Sequence, residues 1–456
     1  VPAAHAANAN LFVSAENSQF NNYMSGPQVI EVVVIDSDIK DTDKAKGEPD
    51  VTINGKKLRM AQATDGNWYG YFADITMAQL ADNTVTSAGR GLDFGQFCTS
   101  ASTELSTDNT IPLFPDTSGV AIPVRSTGVS FGSNGTATIT ACSTSFNGAA
   151  AVTANATHTL TATAVGVEGR VSDVVREAKA LSGTAAGTNP SLGQIKLKDE
   201  GLWPFVQLYT LSVGGNAIVQ YNKGGGAQTT TLTFDTVDQF AKISTDRTKY
   251  TQASQIHATI TDLWLNIDPT DEDSWTFSAN TTNTSTFGSY YQVFNENGGQ
   301  AGDSSTATSA TPLLTKTTLQ SLMCEENCLV SVNPDAQTSG TFVLSIQDNA
   351  DSAVTAGANV VAAATNGGKL IRNSVPVTFT ETAPNVGIFG SYDENDVSSL
   401  KITDNAKRGT SATIAYVQTV PATILVGFDF ATIDVVPVDT EWNSGEEIPI
   451  TLVDSD

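Results

Sequence analysis

The sequence predicts an all-β fold organised as tandem β-sandwich domains, and three observations lead to this prediction. β-Branched or alternating apolar runs dominate the 456 residues, with Gly, Asn, Asp and Pro between them. Helical periodicity is nearly absent, and its best candidate is SDVVREAKAL at 172–181. One strand-plus-acidic-turn motif recurs along the chain, which is typical of an array of similar domains.

The predicted strands are short runs in which Val, Ile, Thr and aromatic residues are enriched, a composition that suits a half-buried pleated surface. They are VIEVVVID (29–36), DVTING (50–55), WYGYFAD (68–74), ATITACS (137–143), HTLTATAVGV (158–167), FVQLYTLSVG (205–214), TTTLTFDTV (229–237), SQIHATITDLWLNI (254–267), GTFVLSIQD (340–348), VPVTFTET (375–382), SATIAYVQT (411–419) and EIPITLVD (447–454). This strand density with short polar turns favours tandem sandwiches over a single large sheet.

The recurring motif is clearest at 25–38 and 443–456, where Ser-Gly is followed by a strand and then by Asp-Ser-Asp. A looser copy lies at 251–273, so that successive copies are about 190 to 230 residues apart. The segments 65–74 and 381–392 also resemble each other, because each has an acceptor-rich turn, a Gly and an aromatic strand. A period of this length predicts repeated domains rather than a solenoid.

From these patterns we expect five segments, of which the last is the start of a further domain that is cut short. They are an N-terminal β domain (1–75), a Thr/Ser-rich β-sandwich (76–180), a short β domain or continuation of the preceding one (181–245), one or more β domains (246–425) and a truncated domain (426–456). We therefore expect the natural protein to continue beyond these residues.

The charge of the chain is strongly negative. It has 48 Asp and Glu against 23 Lys and Arg, for a formal net charge of −25. Such a surface repels nucleic acid and concentrates cations. An alternative explanation is adaptation to high salt, in which acidity serves solubility alone.

Several features predict export. No apolar run is long enough to span a bilayer, and the chain opens with VPAAHAANAN, whose Ala-x-Ala pattern is typical of signal-peptide processing. The four cysteines fall in two local pairs, which predict the disulfides Cys98–Cys142 and Cys324–Cys328. A metal site at Cys324 and Cys328 is the weaker interpretation, since no further Cys or nearby His completes a ligand set.

Four glycosylation sequons are present, and the last two stand close together in a polar, loop-like segment. They begin at Asn134, Asn155, Asn280 and Asn283.

Acidic turns form the strongest candidate sites. The predicted ligands of the first turn are Asp36, Asp38, Asp41 and Asp43, and those of the second are Asp262, Asn266, Asp268, Asp271 and Asp273. Carboxylates at this spacing after a strand can converge on Ca²⁺, which takes six to eight oxygen ligands. The alternative is a solvated acidic turn balanced by lysines, and the first turn contains Lys40, Lys44 and Lys46.

Catalysis finds little support in the sequence. The three histidines are His5, His158 and His257, and none is accompanied by a nucleophile elbow or a zinc-protease motif. We therefore expect a protein that is not an enzyme.

Taken together, the strand-plus-LVDSD motif and three further segments, TDRTKYTQASQIHATITDLWLNIDPTDED, VPVTFTETAPNVGIFGSY and KITDNAKRGTSATIAYVQ, resemble the large S-layer proteins of ammonia-oxidising archaea. The resemblance covers 26–74, 196–275, 374–417 and 434–456. It implies secreted, glycosylated chains of immunoglobulin-like domains that assemble into a two-dimensional lattice on the cell surface. It also implies bound metal ions, above all Ca²⁺, and acidic pores that enrich cations such as ammonium.

Carried over residue by residue, the acidic motif falls on the two turns given above and on Asp454 and Asp456. The lysines of the first turn depart from the motif, and the third copy is cut short. The sequence therefore predicts a lattice-forming S-layer subunit that binds cations. The alternative is an extracellular adhesin or stalk whose tandem domains bind glycans or other cells.

Overall fold

The structure is a computed structural model that describes most of the chain. The described residues are 10–44, 46–84, 92–125, 139, 142, 170–171, 174–183, 192–198, 200–278, 288–293, 314–326, 328–333, 336–338, 341–346, 365–366, 369–370, 376–393, 395–416, 419–428, 431–435, 444–445 and 447–454.

Strands account for nearly all regular structure in the described residues, which confirms the all-β prediction. In the first half they are β1 (Leu11–Val13), β2 (Tyr23–Met24), β3 (Ile30–Val34), β4 (Val51–Ile53), β5 (Lys56–Leu58), β6 (Ala61–Gln62), β7 (Trp68–Asp74), β8 (Gln96–Cys98), β9 (Gly119–Ile122), β10 (Val124–Arg125), β11 (Arg170–Val171), β12 (Val206–Tyr209), β13 (Gly215–Lys223) and β14 (Gly226–Phe234).

The second half continues in the same way. Its strands are β15 (Lys242–Thr245), β16 (Lys249–Tyr250), β17 (Ala258–Thr261), β18 (Asp273–Ser278), β19 (Gly288–Val293), β20 (Leu314–Thr315), β21 (Val330–Asn333), β22 (Ala336–Thr338), β23 (Thr341–Phe342), β24 (Leu344–Ile346), β25 (Thr365–Asn366), β26 (Lys369–Leu370), β27 (Pro376–Glu381), β28 (Ile388–Gly390), β29 (Leu400–Ile402), β30 (Ser411–Tyr416), β31 (Ala422–Val426), β32 (Thr432–Val435) and β33 (Ile450–Val453).

Two short α-helices are described, α1 (Ile75–Asp82) and α2 (Lys316–Ser321). The helix predicted over 172–181 is wrong, because residues 174–181 contain no helical turn. Their backbone N–H groups have other partners: Arg176 N donates to Asp268 Oδ2 at 2.8 Å, and Glu177 N donates to Thr270 Oγ1 at 3.0 Å. These acceptors hold the segment in a non-helical path against residues far away in the sequence.

The first unit, residues 10–240, contains two large sheets. One has the strand order β1-β3-β7-β12-β9-β8 with β6 added to β7, and the other has the order β2-β14-β13-β4-β5. The first sheet takes strands from all three of the predicted segments 1–75, 76–180 and 181–245, and the second takes strands from the first and third of them. Pairing between distant parts of the chain therefore organises this unit.

The second unit, residues 242–426, repeats this plan. Its main sheets have the orders β15-β17-β28-β27-β18-β19-β20 and β16-β31-β30-β21. In both units the strand before the acidic turn (β3 or β17) lies between an antiparallel strand on each side, β1 and β7 or β15 and β28. Each second sheet has a long hairpin (β13·β14 or β30·β31) that pairs in parallel with a two-residue strand (β2 or β16). The sequence similarity between 65–74 and 381–392 thus corresponds to equivalent strands.

The alternating apolar pattern places one face of each central strand in the core. In β3 the buried positions are Ile30, Val32 and Val34, while Glu31 and Val33 are partly exposed. Facing side chains from both sheets form a β-sandwich-like interior in which Trp68 and Trp264 are almost fully buried.

The two units are in direct contact. Val29 N donates to Ile267 O at 3.0 Å, and Asn385 Nδ2 donates to Ser14 O at 2.9 Å. Gly26, which has φ +57°, packs against Trp264, and an added Cβ there would lie 2.7 Å from Leu322 O. Buried backbone contacts therefore fix the second unit against the first.

Strands β32 and β33 form a separate antiparallel hairpin after the second unit. All eight of its residues are exposed, including the apolar side chains of Ile433, Ile450 and Leu452.

Candidate cation-binding sites

The Asp that ends the motif strand has the same role in both units. Asp36 and Asp262 each precede a short 3-10 helix (Ser37–Ile39 or Leu263–Leu265), and each carboxylate accepts the N–H two residues later, at 3.0 Å from Asp38 N and 2.9 Å from Trp264 N. An Asp at this position satisfies an N–H group that the helix leaves unpaired.

Each of these carboxylates also accepts a hydrogen bond from a tyrosine on the opposite sheet. Tyr221 Oη donates to Asp36 Oδ2 at 2.8 Å, and Tyr416 Oη donates to Asp262 Oδ2 at 2.7 Å. Tyr221 lies in β13 and Tyr416 lies in β30, the equivalent strand. The recurring Asp therefore ties the two sheets of its unit together, which accounts for its repetition without a metal ion.

The two tyrosine-bound carboxylates differ in charge balance. Lys223 Nζ lies 2.8 Å from Asp36 Oδ2. Burial acts to raise the pKa of Asp36, but hydrogen bonds from Lys223, Asp38 N–H and Tyr221 outweigh it and the pKa is lowered. Burial raises the pKa of Asp262 to about 7 against the hydrogen bonds from Tyr416 and Trp264 N–H. Asp36 is therefore ionised, whereas Asp262 shares its proton near neutrality.

The remaining predicted ligands of the first turn do not converge. Asp38, Asp41 and Asp43 are all exposed. Lys46 Nζ and Lys44 Nζ lie 3.1 Å and 3.6 Å from Asp41 Oδ2, and hydrogen bonding and charge from Lys46 lower the pKa of Asp41. The alternative interpretation, a solvated acidic turn balanced by lysines, describes this geometry best.

The second turn does bring its carboxylates together, and an arginine lies at their centre. Arg176 is almost fully buried, with Nε 3.0 Å from Asp271 Oδ2. Its Nη1 lies 3.4 Å from Asp268 Oδ2 and 3.5 Å from Asp273 Oδ1. We refer to Arg176 with these three aspartates as the arginine cluster. A planar guanidinium with five N–H donors suits this arrangement of oxygen atoms.

Backbone and hydroxyl donors satisfy much of what the guanidinium leaves. Asp268 Oδ1 accepts from Thr270 N at 2.8 Å and from Thr270 Oγ1 at 2.6 Å. Asp273 Oδ2 accepts from the backbone N–H groups of Ile267 and Asp268. The oxygens on which a calcium ion would depend are thus largely used by donors of the chain itself.

Glu381, which the sequence analysis did not single out, lies against this cluster. Its Oε2 accepts from Asp273 N at 3.1 Å, and its Oε1 accepts from Val386 N and Gly387 N, each at 2.7 Å. Burial, followed by the charge of Asp273, raises the pKa of Glu381 well above its usual range. Protonation of Glu381 reduces the excess of negative charge around the single guanidinium.

Asn266 does not point toward the arginine. Its Nδ2 donates to Asn385 Oδ1 at 3.0 Å, whereas its buried Oδ1 lacks a hydrogen-bond partner among the described residues. Of the third copy, Asp454 is described after the exposed strand β33, and Asp456 lies outside the described residues.

Both predicted cysteine pairs are joined as disulfides, with Cα–Cα distances of 5.1 Å for Cys98–Cys142 and 6.2 Å for Cys324–Cys328. Within the part of the chain that is described, one group of three potential metal ligands is close enough to share an ion, namely Asp262 with Cys324 and Cys328. Because the two sulfur atoms are bonded to each other, they are not thiolates available for a metal.

The four sequons at Asn134, Asn155, Asn280 and Asn283 lie outside the described residues. Of the helices that are described, none is long and apolar enough to cross a bilayer. Comparison with protein-family models and with curated protein sequences found no match.

The residues that the sequence analysis missed are the partners of its candidates: Lys223, Tyr221, Tyr416, Arg176 and Glu381. Arg176 lies in a segment that resembles a helix, 92 residues before Asp268. No local spacing connects such a pair. The tyrosines are detectable in principle, since each stands in the hairpin that follows a copy of the motif.

Proposed function

We propose that this chain is a structural subunit of an S-layer, a secreted and glycosylated protein of immunoglobulin-like domains that forms a porous lattice around the cell and has no enzymatic activity. The observation that carries this proposal is the repetition of one two-sheet plan in two units that are packed directly against each other. Extended structural proteins are commonly built from such repeated, nearest-neighbour units.

The distribution of charge supports a role in filtering ions. The buried carboxylates at the arginine cluster and at Asp36 are balanced by Arg176 and Lys223. Exposed carboxylates such as Asp38, Asp43 and Asp50 face solvent. These exposed groups supply the field of a chain with a net charge of −25. In a lattice pore this field enriches cations, including ammonium, and acts over about 30 Å at 0.01 M salt but only about 3 Å at 1 M.

Calcium belongs in this proposal as a bridge between subunits. The carboxylates of the arginine cluster already surround a guanidinium, so we assign calcium to exposed carboxylates that lattice formation brings together. Hard divalent cations bind such oxygen ligands and relieve the repulsion between acidic surfaces.

Electron microscopy of the purified chain with and without Ca²⁺ tests this function. We expect two-dimensional sheets with Ca²⁺ and dispersed particles after chelation with EDTA, with Mg²⁺ at equal ionic strength as the control. Dispersed particles or linear filaments under every condition would refute the lattice and favour the adhesin or stalk.

A further inference from the structure

We propose that the backbone carbonyl oxygens of Ile39, Lys40, Asp41 and Gly66, together with the side-chain oxygen of Gln62, bind a monovalent cation of about the size of K⁺. We refer to these five groups as the carbonyl cage. The proposal concerns the interior of the first unit and does not depend on lattice formation.

The four carbonyl oxygens converge on one atom. Gln62 Nε2 lies 3.2 Å from both Ile39 O and Lys40 O, 3.4 Å from Asp41 O and 3.1 Å from Gly66 O. An amide nitrogen carries only two hydrogens and so cannot satisfy four acceptors. Trp68 Nε1 donates to Ile39 O at 3.0 Å, which still leaves three carbonyls for two hydrogens.

The other end of the same amide has the opposite problem. Gln62 is fully buried, and its Oε1 has no hydrogen-bond partner among the residues described. Leaving a buried oxygen unpaired costs about 1–3 kcal/mol. The side chain thus presents a nitrogen with too many acceptors and an oxygen with no donor.

A bound cation resolves both problems at once. Rotating the amide by 180° exchanges two atoms of nearly equal size, and the assignment of one or the other rests on the hydrogen-bond network alone. After that rotation, Oε1 faces the four carbonyl oxygens. Five oxygens directed at one another repel unless a positive ion lies among them, and with an ion present they replace its hydration shell.

The ligand chemistry selects a monovalent ion. All five oxygens are neutral, whereas Ca²⁺ and Mg²⁺ sites in proteins draw on carboxylates. Rings of backbone carbonyls are the characteristic surroundings of dehydrated K⁺. The carboxylate of Asp41 does not take part, because it is directed toward Lys44 and Lys46.

The local sequence explains how the carbonyls come together. The 3-10 helix Ser37–Ile39, begun by Asp36, turns the chain so that the next carbonyls reach the same point. Gly66 approaches this turn with φ +86°, and an added Cβ would lie 2.6 Å from Lys40 O. Glycine is therefore required where the two segments meet.

The deciding experiment is crystallographic. Crystals of the full chain soaked in Tl⁺, a heavy analogue of K⁺, should show an anomalous peak within about 3 Å of the four carbonyl oxygens. The absence of a peak at saturating Tl⁺, or a peak there for Ca²⁺ but not for Tl⁺, overturns the proposal.

Thermal unfolding adds a measurement in solution. At constant ionic strength we expect KCl to raise the Tm above its value in choline chloride by on the order of 1–3 °C, since a ligand that binds only the native state stabilises it. Gln62→Met should remove this difference.

The matched control is Gln207→Met. Gln207 is equally buried, but its amide is fully paired, with Arg59 N donating to Oε1 at 2.7 Å and Nε2 donating to Arg59 O at 2.8 Å. This variant should lower the Tm by the same amount in both salts. A potassium effect that persists in Gln62→Met contradicts the site.

Discussion

At the scale of single residues, the most informative finding is that the chain supplies its own cations to its buried carboxylates. Arg176 and Lys223 take the positions in which the sequence analysis expected a metal ion. The acidic turns were predictable because Asp clusters are local in sequence. Their partners were not, because Lys223 reaches Asp36 from 187 residues away along the chain and only folding brings them together.

Replacing the central arginine tests this arrangement. We expect Arg176→Met to lower the free energy of unfolding by about 3–5 kcal/mol, because it leaves Asp268, Asp271 and Asp273 buried without their cation. Chemical denaturation measures the change. The control is Arg247→Met, whose pair with Asp246 at 3.2 Å is exposed and contributes less than about 1 kcal/mol. Equal effects of the two substitutions would contradict the role of Arg176.

A second prediction at this scale concerns pH. Burial raises the pKa of Asp262 from 3.8 to about 7 and that of Glu31 to about 6. The folded chain therefore holds protons that the unfolded chain has released. The resulting stabilisation is fully present below pH 4 and is lost as the pH rises through about 7.

We therefore expect the Tm to fall between pH 5.5 and pH 8, and we expect the fall to become smaller in Asp262→Asn, which stays neutral. At about 1.4 kcal/mol per unit of pKa, the contribution of Asp262 is on the order of 2–4 kcal/mol. Thermal unfolding followed by circular dichroism measures both, with the exposed Asp38→Asn as control. An unchanged slope in Asp262→Asn would show that this carboxyl is ionised throughout the range.

At the scale of elements, local patterns predicted strands well and helices poorly. The aromatic strand at 68–74 was expected and is β7, because its composition suits only a buried sheet. The helix α1 follows it directly and was missed. Asp74 begins this helix by accepting from Met77 N at 2.9 Å, and it also accepts from Leu211 N at 3.0 Å. A contact with distant residue 211 is invisible to any sequence window.

The two disulfides close loops of very different length, and they should stabilise the fold unequally. They span 44 and 4 residues. By loop-closure entropy, the variant Cys98→Ser/Cys142→Ser should lose about 4 kcal/mol and the variant Cys324→Ser/Cys328→Ser about 2 kcal/mol. Urea denaturation of the two double variants measures the difference. A larger loss for the shorter loop would mean that packing around Cys328 and Asp262 outweighs the entropy of the loop.

At the scale of the whole molecule, the sequence revealed the repetition but not its boundaries. The motif copies at 25–38 and 251–273 mark equivalent positions in two units. Each unit is completed by a hairpin near its C-terminal end, β13·β14 or β30·β31, which pairs with short strands near its start. Such pairings leave no composition change at which a boundary could be recognised.

The contact between the units predicts a single cooperative unfolding transition. Gly26→Ala should disturb it, because the new Cβ would lie 2.7 Å from Leu322 O in the second unit. We expect differential scanning calorimetry to show the single transition broaden or split in this variant. Gly55→Ala is the matched control, since Gly55 also has positive φ but has no atom within 4 Å of an added Cβ. A single sharp transition in both variants would contradict coupling through this contact.

The arginine cluster also determines what the environment can and cannot take away from the protein. A joint made with a metal ion empties when the ion falls below its dissociation constant, so chelators or fresh water would loosen it. Arg176 belongs to the same polypeptide as its aspartates, so no dilution lowers its effective concentration. The two units should therefore stay joined in water that contains no dissolved calcium, even where contacts between neighbouring molecules come apart.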